Sequence, residues 1–186
     1  MIRNFRYGVC AMALATLALL SAISSAESRP WSKDPTSLAQ NYLMINDNRS
    51  DNEVVLVYWL ASALVPKTAE TKAAVELLDK YVVLGVVRGR IANDGTIAFD
   101  EQAAVDVSDG AGQALNALRE DTMPPSVAAA LAAVKGVFTR ALGAMGKGVH
   151  WFAFDAGAVQ CCAKGGMTVT FAGEKYTYDT PIPGCQ

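Results

Sequence analysis

Short β-branched and aromatic runs alternate with glycine-bearing turns along this chain, which confines much of it to sheets joined by hairpins. Residues 54–60 are apolar on both faces and rich in Val, Tyr and Trp, the composition of a buried strand. A longer strand follows at 82–91. Asn93-Asp94-Gly95 turns it and 96–99 returns, since Asp-Gly between β-branched residues is a strong hairpin signal. Residues 105–108 and 113–115 repeat the pattern around Asp109-Gly110-Ala111-Gly112, with a helix over 112–119 as the rival reading. Further strands are expected at 38–45 (or a short helix there) and at 149–154. Met167, Val169 and Phe171 alternate with Thr168 and Thr170, and a turn at Gly173-Glu174 is expected to lead back through Tyr176 and Tyr178.

Two segments carry helical periodicity instead. Pro66 and Thr68 open the first, 67–80, which puts Ala74, Leu77, Leu78 and Tyr81 on one face. Glu70 near its start and Lys80 near its end complement the helix dipole. Pro124-Pro125 opens the second, 125–145, where Val127, Leu131, Val134, Phe138, Leu142 and Met145 form one stripe. Its other positions are mostly Ala, so it is expected to pack closely into the core, with docking to a partner or a membrane as the alternative. The fold class this predicts is α+β: one domain, 38–186, with a largely antiparallel sheet of six to eight strands against two main helices.

The start of the chain reads as an export signal. Arg3 and Arg6 precede an uncharged apolar run at 9–20, and Ser24-Ser25-Ala26 supplies small residues for cleavage. The run is shorter than the roughly 20 residues that a spanning helix needs. A cleaved secretory signal peptide over 1–26 and a polar leader over 27–37 are therefore expected, an uncleaved anchor being the competitor. Removal leaves 160 residues, enough for one domain with a proper core. The 16 basic side chains lose Arg3 and Arg6, so 14 face 18 acidic ones and the net charge is −4. This argues against nucleic acid, whose binders cluster Lys and Arg. Lys135 and Arg140 interrupt the best later apolar segment, so no transmembrane span is expected in the mature chain, and a soluble periplasmic or extracellular protein is.

Cys10 leaves with the signal, and Cys161, Cys162 and Cys185 remain. Disulfides persist in exported proteins. A bond between adjacent cysteines closes an eight-membered ring with a distorted peptide, so Cys185 is expected to pair with either Cys161 or Cys162. Side chains of adjacent extended residues point to opposite faces, which leaves the other cysteine as a buried thiol or a handle for another chain.

Chemistry is constrained mainly by exclusion. His150 is the single histidine, so a multi-imidazole zinc site is impossible and any Ser-His or Cys-His pair must use it. It shares a strand face with Phe152 and Phe154 and is expected to be packed and hydrogen-bonded. Residues 46–53 resemble a calcium loop only in composition, because Asp51 and Val57 stand where an EF-hand requires Gly and Glu. Asn48-Arg49-Ser50 is a glycosylation sequon. Neither a metal nor a cofactor is expected. Arg88 and Arg90 alternate onto one strand face and, with His150, form the candidate ligand-binding set for an anion.

The function these features favour is an exported, non-enzymatic binding or accessory domain for a protein or cell-envelope component. A second reading is a small-ligand binder or hydrolase that gathers Arg88, His150 and carboxylates from Asp100, Glu101, Asp106, Asp155 and Asp179. A third is a thiol redox protein using Cys161 and Cys162.

Overall fold

The computed structural model describes residues 43–46, 52–182 and 185. The expected signal peptide, the polar leader and the Asn48 sequon lie outside the described residues. Within them the chain runs β1 (Leu43–Asn46), β2 (Glu53–Leu60), a 3-10 turn (Ser62–Leu64), α1 (Lys72–Lys80), β3 (Tyr81–Ile91), β4 (Ile97–Phe99) and β5 (Val105–Asp109). It continues with α2 (Pro125–Leu142), α3 (Ala144–Lys147), β6 (His150–Asp155), β7 (Gly165–Phe171) and β8 (Glu174–Thr180).

The eight strands form two sheets rather than the one expected, although every pairing is antiparallel. In the first sheet β3 lies between β2 on one side and β6 and β4 on the other, with β1 beyond β2. The second sheet is β5-β7-β8. Period-two alternation tells which face of a strand is buried and not whose ladder it joins, so the division could not be read from pattern alone.

β3 is apolar on both faces and both are covered. Val82, Leu84 and Val86 point with Val55, Val57 and Trp59 of β2 toward the second sheet, whose Val107, Met167, Val169, Phe171, Tyr176 and Tyr178 meet them. Each such aliphatic side chain taken out of water contributes about 1.5–3 kcal/mol. Tyr178 is the bolt of this layer: fully buried, its ring meets Trp59 edge-on at 5.5 Å and its hydroxyl donates to the Val57 carbonyl at 3.1 Å. On the opposite face Leu56, Val87 and Val149 pack with Phe99, Met145 and Trp151, while Tyr81 and Ala153 pack with Val127, Leu131 and Leu77 of the helices. Trp151 lies flat over its pairing partner Gly85, where an added Cβ would come within 2.9 Å of the ring.

Turn chemistry sets the strand ends. Gly95 has φ +82, and Asp94 Oδ1 accepts from the Thr96 amide and hydroxyl at 2.9 and 2.7 Å, closing the expected β3–β4 hairpin. Residues 109–115 return as a hairpin arm, not a helix, because Leu115 donates to the Val107 carbonyl and Gln113 accepts from Asp109. The β7–β8 turn sits one residue earlier than expected, at Ala172-Gly173. Both residues have positive φ, 53° and 82°, as a two-residue type I′ turn demands. The first helix begins at Lys72 rather than 67, since Thr68 and Thr71 bond each other's backbone in a preceding turn. The second ends at Leu142, where Gly143 takes φ +58 and α3 folds back.

Burial raises the pKa of both Tyr58 and Tyr178 above the ordinary 10. A raised acid keeps its neutral form in the folded state, so its contribution is complete below pH 10 and is lost as pH climbs above it. Urea denaturation should therefore show stability falling above about pH 10. Tyr178→Phe should remove about 1.4 kcal/mol per pH unit from that alkaline slope. An unchanged slope would mean that Tyr178 ionises in place.

Candidate functional site

Three places hold chemistry, and the sequence-predicted candidates fall into two of them. At one end of the first sheet Arg88 and Arg90 project from the same face of β3, beside Glu53 at the start of β2. Both guanidiniums converge on Glu53 Oε1, Arg88 at 2.8 Å and Arg90 at 3.1 Å. The Glu53 side chain is 7% exposed, so a buried carboxylate is the anion that this pair holds. That hydrogen bond also raises the Arg88 pKa. Arg88 Nη1 lies 3.8 Å from Asp100, and His150 Nε2 is 2.9 Å from the Asp100 backbone carbonyl. A carbonyl only accepts, so Nε2 carries the proton in this contact.

The structure thus brings Arg88, Arg90, His150 and Asp100 into one cluster, and adds Glu53, which sequence reasoning missed. The signal was available: Glu53 opens an otherwise apolar strand, and such a carboxylate needs a cationic neighbour. Asp106 on β5, Asp155 at the end of β6 and Asp179 on β8 belong to separate strand positions and do not join the cluster.

The second place is the corner where residues 156–162 and the C-terminal segment meet the start of α1. Cys162 pairs with Cys185, at an S–S distance of 2.07 Å, and Cys161 is a free thiol that is 8% exposed. This resolves the pairing left open by the sequence. The Cys161 carbonyl accepts from the Ile182 amide at 2.8 Å, which ties the tail down beside the sulfurs. The Cys161 thiol lies 3.6 Å from Cys162 Sγ and 3.2 Å from Ser62 Oγ, and Ser62 donates in turn to Asp79. A cavity of about 410 Å³ opens here, lined by Trp59, Ser62, Lys67, Asp79, Val159 and Cys161 among others. Arg88, Arg90 and His150 do not line it.

The third place is α2. Core packing was expected of it, yet Val127 is its one buried residue. Leu131, Val134 and Phe138 are half-buried, with Phe138 edge-on to Tyr58 and Trp151 at 5.1 and 4.8 Å. Outward stand Ala128, Ala129, Ala132 and Ala133, with Val137 52% and Leu142 46% exposed. By length and composition this helix could cross a membrane, but its 18 residues span about 27 Å and carry Lys135 and Arg140. The stripe alone touches the sheet because a single helix laid on a sheet can present only one side.

No protein-family model, curated protein or solved structure matches the chain. What the three places do must therefore be argued from their chemistry.

Three expectations test the first two places. Glu53→Gln leaves two guanidiniums facing a neutral amide in a largely buried spot and should lower stability by about 1–3 kcal/mol in urea titration. Arg90→Gln, whose side chain is 69% exposed, should cost under about 1 kcal/mol because water screens it. Replacing Cys185 by Ser opens the loop back to Cys162, 23 residues away, and should cost about 3.5 kcal/mol by the same titration.

Proposed function

We propose that this chain is an exported, non-enzymatic binding domain that docks another protein through α2. The observation that carries the reading is an 18-residue helix, apolar nearly all round, with one buried residue. Helices of that kind are ordinarily covered on every side. The partner is argued from size and charge. Ala128, Ala129, Ala132, Ala133 and Gly136 leave a shallow outer surface onto which a second helix can settle closely. No acid occurs between Asp121 and Asp155, while Lys135, Arg140 and Lys147 do, in a domain whose charge is otherwise negative. An apolar helix flanked by carboxylates on another exported protein complements this surface. A bilayer fits it less well, since an interfacial helix presents its bulky residues to lipid, and Leu131 and Phe138 here turn toward the sheet. The disulfide supports an oxidising compartment, and the exported protein should begin at Glu27.

The test places a photo-crosslinker at Ala133 of the mature protein and compares the native surface with Ala129→Glu and with Gln102→Glu, an exposed control on another face. A protein adduct should form with the native surface and the control, and fall about tenfold with Ala129→Glu, since like charge against an acidic partner is repulsive. Equal adduct yields from all three, or attachment to anionic phospholipid vesicles in place of a protein, would overturn the reading.

A further inference from the structure

We propose that the cavity between α1, the 3-10 turn and the 159–162 segment binds a small apolar zwitterion, an apolar amino acid or short apolar peptide, with Asp79 taking its ammonium group and Lys67 its carboxylate. The inference stands apart from the docking role of α2, no residue of which lines this cavity. Its volume of about 410 Å³ falls within the range of small-molecule pockets, which begins at about 300 Å³.

The walls divide by depth. Trp59, Val82, Val159 and Cys161 line the cavity and are buried, so its floor is apolar. Val75, Leu78 and Asp79 stand at i, i+3 and i+4 on α1, so one face of that helix forms the roof. Val75 and Leu78 are half-buried and belong to none of the hydrophobic cores, which leaves the cavity as what their side chains face. An apolar body inserted here leaves water and meets apolar atoms above and below. Charge stands only at the mouth, where Lys67, Asp79 and Gln160 are exposed. Lys67 and Asp79 carry opposite signs on one cavity, yet among the described residues no ion pair joins them. A ligand with both signs can bridge the two, whereas a ligand with a single charge meets a like charge at the same mouth.

The carboxylate is held for this role. Ser62 is 4% exposed and donates its one hydroxyl proton to Asp79 Oδ1, so in its 3.2 Å contact with Cys161 it accepts from the thiol. This fixes the carboxylate and leaves Asp79 Oδ2, without a protein donor among the described residues, as the acceptor for an ammonium group. The facing wall is fixed as well. Cys162 lines the cavity and is bonded to Cys185, and the Cys161 carbonyl accepts from the Ile182 amide at 2.8 Å. Both walls are in place before a ligand arrives, which reduces the ordering that binding requires.

The experiment follows amide chemical shifts of the folded, oxidised protein during titration with L-leucine, L-leucyl-L-leucine, 4-methylpentanoate and 3-methylbutylamine. The last two are leucine without its ammonium group and leucine without its carboxylate. L-Leucine or the dipeptide should shift the amides of Ser62, Leu78 and Val159 and bind about three- to fivefold more tightly than either single-charge analogue, as suits ion pairs at an exposed mouth. Whichever of the two binds more tightly tells a free amino acid from a peptide as the source. Asp79→Asn should remove the preference over 4-methylpentanoate, and Lys67→Gln the preference over 3-methylbutylamine. Both side chains are exposed, so the variants should keep the native amide spectrum elsewhere. Analogues that bind as tightly as the zwitterions, preferences that survive both substitutions, or no shifts at these amides with either zwitterion at about 10 mM would overturn the proposal.

Discussion

The first half of β3 is apolar toward both of its faces, and most of the architecture answers that one constraint. A strand buried twice needs a layer on each side. One layer is the β5-β7-β8 sheet, held by Tyr178 against Trp59 and Val57. The other is assembled from α1, α2 and α3 with Trp151 and Phe99 filling the space between helix and strand. Where the double burial ends, at Arg88, the charge cluster begins, and Glu53 is neutralised at the boundary between core and water. The arginine pair is thus matched by a buried carboxylate of the same molecule, which is why the cluster is better read as a seal on the sheet end than as an anion site.

Local features were legible in the sequence to the extent that they are set by neighbours. The Asp94-Gly95 hairpin, the 105–115 hairpin and the Pro-opened α2 follow from turn and cap chemistry within a few residues. So did the alternation of Val55, Val57 and Trp59, and the existence of a disulfide to Cys185. The number of sheets was not legible, because β5 and β7 are far apart in the chain and their alternation is compatible with joining β3. The one-residue shift of the last turn had the same origin, as Ala172 at φ 53 is an uncommon choice that only the register of Phe171 with Glu174 reveals. Choosing Cys162 over Cys161 required knowing which face the tail crosses.

Of the candidate residues, Arg88, Arg90 and His150 were found as a set, and the structure adds what they attend to. Asp100 was associated with Arg88 and His150 only as one of five carboxylates, and Glu53 not at all, because the contacts cross from β2 and from the segment after β4, over separations of 35 and 50 residues. The Ser62–Asp79 link to Cys161 was equally hidden, since it joins the 3-10 turn, α1 and a loop some 99 residues on. Periodicity cannot show a polar chain of this kind. It contains no repeated spacing, only three single residues brought together by the fold.

The misreading of α2 is the most informative. Its stripe of Val127, Leu131, Val134 and Phe138 behaves as expected and lies toward the sheet, so the periodicity was real. The alanines between carried the expectation that the helix lies close in the core, because small side chains allow a close approach. Among the described residues they have nothing to pack on: the sheet is on one side, and the second sheet is two layers away. A helix core-facing by stripe and apolar elsewhere has surplus hydrophobicity that its own domain does not use. Ala has the highest helix propensity, so these positions also steady the helix itself, but that leaves the exposed Val137 and Leu142 without a use inside the domain. A surface that contacts something outside the domain is the use we propose for the remainder.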